Sequence, residues 1–179
     1  MTVPAEPPAA DAPTDSGLLV SHLTVLGQTV ACAESLTAGL VAATIADTPG
    51  ASLVLRGGVV AYAADLKAAL LGVPDTLLAE AGTVDARVAR AMAEGARERL
   101  GATWGIATTG VAGPGPAEGK PAGTVHVAVA GPTGTESRAL RLKGTRPEIR
   151  RAAVDAALGL ALEVMTGKPL HRPERHGVR

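Results

Sequence analysis

The chain has 179 residues, enough for one well-buried domain and too few for two comfortable ones. Its 17 Lys and Arg balance 17 Asp and Glu, and it holds one Trp, one Tyr and no Phe, so neither a basic surface nor base-stacking platforms point to nucleic acid. A single cysteine, Cys32, excludes an internal disulfide framework, and Gly, Asp, Arg and Lys interrupt each apolar run short of the roughly 18 residues that a membrane span needs.

Residues 1–14 are rich in Pro and Ala, lack the basic and apolar regions of a secretory leader, and read as a flexible arm. From Asp15, "DSGLLVSHLTVLG" offers a capping residue and helical apolar spacing up to a stop at Gly27. "QTVACAE" then reads as a strand, and "SLTAGLVAATIADTPG" as an Ala-rich helix ending in a Pro-Gly turn. "LVLRGGVVAYAA" reads as a strand with a Gly-Gly break, followed by the helix "ADLKAALLGV" that halts at Gly72 to Pro74. "DTLLAEAG" is a short helix, and "DARVARAMAEGARERLG" a longer amphipathic one, with Asp85 as its N-cap and Gly101 as its stop. "TWGIATTG" is an apolar strand running into a Gly/Pro-rich loop. "TVHVAVA" and "ESRALRLKG" flank the turn "GPTG" as a hairpin, and a last helix runs from about Arg146 to Met165. Strands alternating with helices and closing in a hairpin predict a single-domain, three-layer α/β/α sandwich with a mixed sheet over residues 15–166, and a polar flexible tail over 167–179.

Three stretches carry candidate chemistry. In "AESLT", Ser35 is either a helix cap or a nucleophile at a strand-to-helix junction. The surroundings are not the G-x-S-x-G elbow, since Ala33 and Thr37 hold the glycine positions, nor S-x-x-K, since Ala38 follows three residues later. None of the four histidines falls at a strand end beside a functional loop: His22 lies on the first helix, His126 in the hairpin, and His171 and His176 in the tail, without acidic or cysteine neighbours at metal-ligand spacing. Lys67, on a short and otherwise apolar helix, is either a snorkelling surface lysine or a desolvated base whose pKa falls. The loop "TTGVAGPGPAEGKPAG" fits neither common nucleotide fingerprint, yet Gly110, Gly113 and Gly115 allow close backbone approach to a ligand.

The ordered set "AESLTAG", "DTPGAS", "GGVVAYAADLKAALLGV", "AMAEGARERLGATWGIATTGVAGPGP", "KPAGTVHVAV" and "KGTRPEIR" resembles the CinA C-terminal domain family from about residue 17 to 166. That resemblance implies hydrolysis of the carboxamide of nicotinamide mononucleotide to nicotinate mononucleotide and ammonia, without metal or cofactor, with a non-catalytic binding module as the alternative. It implies Ser35 as nucleophile, Lys67 as general base, Tyr62 and Thr109 as polar residues of the same site, and Ser52, Gly110, Gly113 and Arg146 as substrate-binding positions. Oxyanion donors are expected from the N–H groups at the start of the helix after Ser35, and Glu34 and Thr37 are expected to support the junction. Ala63 and Ala64 stand where the family often has polar residues, and Pro116 where it often has glycine. A cytoplasmic homodimer or larger homo-oligomer, with no nucleic-acid or membrane partner, completes the expectation.

Overall fold

Along the central strands, branched side chains alternate with alanines and glycines, and because successive strand residues face opposite sides, this alternation gives the sheet two different faces. The computed structural model describes residues 14–169; the expected N-terminal arm, His171 and His176 lie outside the described residues, apart from Thr14, which accepts from Gly17 N–H as the N-cap of the first helix. The elements in order are α1 (Asp15–Leu26), β1 (Val30–Glu34), α2 (Leu40–Ala46), a 3-10 turn (Ala51–Leu53), β2 (Leu55–Val60), α3 (Ala64–Leu71), α4 (Asp75–Ala81), α5 (Ala86–Arg99), β3 (Trp104–Gly110), β4 (Thr124–Gly131), β5 (Gly134–Arg141) and α6 (Arg146–Thr166).

The five strands form one mixed sheet in the order β2-β1-β3-β4-β5. β1 pairs in parallel with β2 and β3, and the β4–β5 hairpin continues the sheet antiparallel beyond β3. On one face Val30, Cys32, Ile106, Val125, Val127 and Val129 pack with α1, α2 and α6. On the other, Ala31, Ala33, Ala107, Ala128 and Ala130 pack beneath α3 and α5. The expected three-layer sandwich with a mixed sheet is therefore the observed fold. The chain crosses from β1 to β2 on one side and returns to β3 on the other, which leaves a crevice at the carboxyl ends of β1 and β3 where open α/β sheets bind ligands.

Two boundaries differ from the sequence reading, and the expected start of α6 gains a detail. α2 begins at Leu40, not Ser35, because residues 35–38 form a separate turn in which Ala38 takes φ 50° and Gly39 φ 96°. β2 begins only after the 3-10 turn at Ala51–Leu53 and ends at Val60. α6 starts with a reciprocal capping box, Thr145 with Glu148, that the sequence carries as T-x-x-E.

Candidate active site

The parallel strands deliver three segments to one edge of the sheet: Ser35 directly after β1, Ala61 and Tyr62 after β2, and Gly110 to Gly113 at the end of β3. These segments border a cavity of about 350 Å³ lined by Ser35, Leu36, Tyr62, Gly110, Glu118 and Arg146 among others, within the size range of small-ligand sites.

Ser35 does not cap α2. The cap of that helix comes from the end of β1 instead: the buried Glu34 carboxylate accepts the N–H groups of Gly39, Val41 and Ala42 at 2.9–3.0 Å. Orphan donors at the helix start and the charge of Glu34 thus satisfy one another. This overturns the expectation that those N–H groups hold an oxyanion, since a carboxylate already occupies them. The expected support from Glu34 and Thr37 is present: Thr37 Oγ1 lies 2.7 Å from Thr108 Oγ1 in the core, and Ser35 N–H donates to Thr108 O at 3.0 Å.

Lys67 is not a snorkelling surface lysine; it is fully enclosed (0% exposed), while its helix neighbours Leu66 and Leu70 face solvent. Its Nζ sits 3.2 Å from Ser35 Oγ, 2.8 Å from Ala61 O and 3.3 Å from Tyr62 O. As an ammonium, Lys67 donates one N–H to each of the three oxygens; once neutral it keeps two N–H groups for the carbonyls and turns its lone pair to the serine hydroxyl. Burial lowers the pKa of Lys67 below its ordinary value, with the charge of Glu118 opposing part of that shift. Cys32, nearby on β1, is no competing nucleophile, because burial and then the charge of Glu34 push its thiol up and keep it protonated.

The remaining candidates fall in different places. Arg146, at the cavity rim, donates from Nη2 to the Tyr62 hydroxyl at 2.8 Å and from Nη1 to Gly113 O at 2.9 Å, so it clasps the loop after β2 to the loop after β3. Gly110 packs so closely on Thr124 and Val125 that any Cβ there would press on their backbone, and Gly113 has φ 83°. Thr109 is fully buried and donates its hydroxyl to Thr83 O at 2.6 Å. Neither that hydroxyl nor the Tyr62 phenol hydrogen-bonds Lys67 or Ser35; Tyr62 reaches the pair through its carbonyl oxygen, and Thr109 holds the end of β3 to the turn before α5. Ser52 is corrected outright. It precedes the start of β2, and because β1 and β2 run parallel, with Val30 beside Leu55 and Glu34 beside Val60, it lies at the far end of the sheet from Ser35. His126 is half-buried under α5, outside the cavity, with Nδ1 lacking a partner among the described residues.

Residues the sequence reading passed over complete the frame. Glu118 accepts from Thr83 N–H and Oγ1, and these bonds outweigh burial and hold its carboxyl below the usual range. Lys120 donates to Val84 O and Ala81 O, so the Gly/Pro-rich loop is tied to the α4–α5 turn at two points. Arg150 grips the turn after Ser35, donating to Leu36 O and Thr37 O; its signal was present in "TRPEIR", four residues after Arg146 and on the same helix face. A larger groove of about 480 Å³ over α5 is lined by helix-surface charges and holds no nucleophile. Among the described residues no cluster of His, Cys, Asp and Glu could hold a metal ion, and no helix is long and apolar enough to cross a membrane.

Residues 15–165 match the family model described as the CinA C-terminal domain. A CinA-like protein of Frankia casuarinae is 52% identical over 153 residues, covering 86% of this chain and 35% of that protein. One of Gloeobacter violaceus is 47% identical over 154 residues, covering 84% and 36%. The chain thus spans about a third of the length of these curated relatives. The crystal structure of the competence/damage inducible protein CihA from Agrobacterium tumefaciens superposes with TM-score 0.81 at 36% identity, covering 85% of this chain and 93% of that one. That of a CinA superfamily protein from Escherichia coli gives TM-score 0.81 at 30% identity, covering 87% and 93%.

Proposed function

Since the chain belongs to the CinA C-terminal domain family, we propose that it hydrolyses the carboxamide of nicotinamide mononucleotide to nicotinate mononucleotide and ammonia through a Ser35–Lys67 pair. The observation that carries this reading is the enclosed Lys67 amine 3.2 Å from Ser35 Oγ beside a ligand-sized cavity. A buried amine in contact with a serine hydroxyl is a base matched to its nucleophile, and it needs no histidine.

In the first half-reaction the Lys67 lone pair takes the Ser35 proton as Oγ bonds to the amide carbon. The tetrahedral intermediate then collapses, and the Lys67 ammonium gives its proton to the departing nitrogen, releasing ammonia and leaving an ester on Ser35. In the second, Lys67 takes a proton from water as the hydroxide adds to that ester. Collapse breaks the Ser35–carbon bond, and the proton returns to Oγ. Arg146 stands where a phosphate at the cavity rim would meet its remaining N–H groups, and the glycines after β3 leave the backbone open to the ribose.

Release of ammonia and nicotinate mononucleotide by the purified protein is the direct test, with Ser35→Ala and Lys67→Ala as controls that fold but do not turn over. The rate should rise with pH to a plateau whose midpoint lies below 10.5, the ordinary value for lysine, because only the neutral amine accepts the proton. Tight binding of the mononucleotide with no turnover over hours would replace the enzyme by a binding module. The assembly belongs to the same proposal as a homo-oligomer, which light scattering measures directly.

A further inference from the structure

The turn that follows Ser35 leaves two buried donors without partners. Within residues 35–42, Ser35 N–H donates to Thr108 O, Ala38 N–H to Ser35 O and Leu40 N–H to Thr37 O, while Gly39, Val41 and Ala42 donate to Glu34. Within this segment, the N–H groups of Leu36 and Thr37 are the two with no acceptor among the described residues, although Leu36 is 3% and Thr37 0% exposed. Buried backbone donors are nearly always paired, so two in succession beside a candidate nucleophile call for a ligand.

The orientation of the second of these donors, the Thr37 N–H, is imposed from behind. Arg150, half-buried one turn into α6, donates from Nε to Leu36 O at 2.9 Å and from Nη2 to Thr37 O at 2.8 Å. In a trans peptide the C=O and N–H point in opposite directions, so binding Leu36 O to Arg150 turns Thr37 N–H away from α6. A charged donor on the carbonyl also polarises the same peptide, which strengthens its N–H as a donor.

We propose that the N–H groups of Leu36 and Thr37 form the oxyanion site for the tetrahedral intermediate on Ser35, and that Arg150 is the positioning residue that aims the Thr37 N–H. The proposal rests on Ser35 being the nucleophile. It replaces the start of α2, whose donors Glu34 occupies, by the turn between strand and helix. Donors aimed where charge develops act in the transition state more than in the bound substrate, so Arg150 should govern kcat and leave KM nearly alone.

The experiment compares wild type, Arg150→Met and Arg150→Lys in two assays: steady-state hydrolysis of nicotinamide mononucleotide, and the rate at which a fluorophosphonate probe labels Ser35, with Ser35→Ala as the unlabelled control. Arg150→Met should lose about 30- to 100-fold in kcat with KM changed by less than about threefold. It should keep the pH midpoint set by Lys67 and regain part of its rate in guanidinium chloride at tens of millimolar but not in sodium chloride. Labelling should slow by a similar factor. Retention of kcat within twofold, a loss confined to KM, or a folded variant that guanidinium does not rescue overturns the proposal. If Arg150→Met fails to fold by near-ultraviolet circular dichroism, Arg150→Lys carries the test: a kcat at least fivefold down supports it, and wild-type kcat sinks it. If wild type turns over no mononucleotide, the proposed substrate is wrong, yet the labelling arm still decides: equal labelling of wild type and Arg150→Met rejects the oxyanion site.

Discussion

The two faces of the sheet solve the packing problem in opposite ways. Toward α1, α2 and α6 the strands present Val, Ile and Cys side chains that interdigitate with Leu19, Leu23, Ile45 and Leu158; toward α3 and α5 they present alanines and the glycine Gly105, against a helix that is itself small there at Ala89, Ala93, Gly95 and Ala96. The first face gains stability from large buried apolar surface and tolerates modest change of shape. The second gains closeness: α5 approaches until a Cβ on Gly105 would run into Ala93 O and one on Gly95 into Leu71 O. Leu71 ends the helix that carries Lys67, so the small-residue face is what seats the lysine against Ser35. Bulk holds the molecule together on one side, and proximity sets up the candidate chemistry on the other.

That contrast can be broken first at the lysine. Lys67→Met should remove turnover by a factor of 1,000 or more, roughly 4 kcal/mol of transition-state stabilisation. Chemical denaturation should register a change in stability of less than about 2 kcal/mol, because relief of the buried amine offsets two carbonyls left without a donor. Equal loss of fold and function would mean that Lys67 is a packing residue. Next, Gly105→Ala and Gly95→Ala should destabilise by about 3 kcal/mol or more, as overpacking against backbone does, and activity should fall even at temperatures where the variants remain folded. Ile106→Ala, one residue along on the branched face, should cost about 2–4 kcal/mol as a cavity while the folded fraction keeps its kcat; a kcat that collapses with it would erase the distinction between the faces.

The smallest effect is a slope. The folded protein releases the Lys67 proton at a lower pH than the unfolded chain, which holds it to about 10.5. Between those two values the unfolded state binds more protons, so stability rises with pH across that window, by at most about 1.4 kcal/mol per pH unit for one group. Below the folded-state value the penalty is present in full. Titrating the unfolding free energy of wild type against Lys67→Met should show the slope in the first and its loss in the second.

Much of this arrangement was legible because it follows local rules. Asp85 and Gly27 end their helices as caps should, the alternation in "TVHVAVA" marks β4, and the order of elements dictates a mixed sheet. Ser35, Lys67 and the glycines after β3 were singled out from residue type and position. What escaped depends on partners distant in the chain. No local pattern says that a carboxylate at the end of β1 caps α2 across four intervening residues, that Ala38 accepts a positive φ, or that Arg150 reaches back 114 residues to Leu36. Ser52 was misplaced for a related reason: a short motif matches a family without stating at which end of a parallel strand it will lie. Thr109 matches a polar residue of the family's site, yet its hydroxyl turns to Thr83 O, a partner 26 residues back that no local pattern announces.

The ties on the nucleophile turn all come from outside the cavity: Glu34 from the strand below, Thr108 from the neighbouring strand and Arg150 from the far helix. The opposite wall is the Gly/Pro-rich loop, secured separately through Glu118 and Lys120 to the α4–α5 turn. The turn that holds Ser35 and the loop that faces it therefore have separate foundations in this fold. Substitutions in the loop that spare Glu118, whose charge acts on Lys67, can reshape the cavity without loosening the turn that holds Ser35.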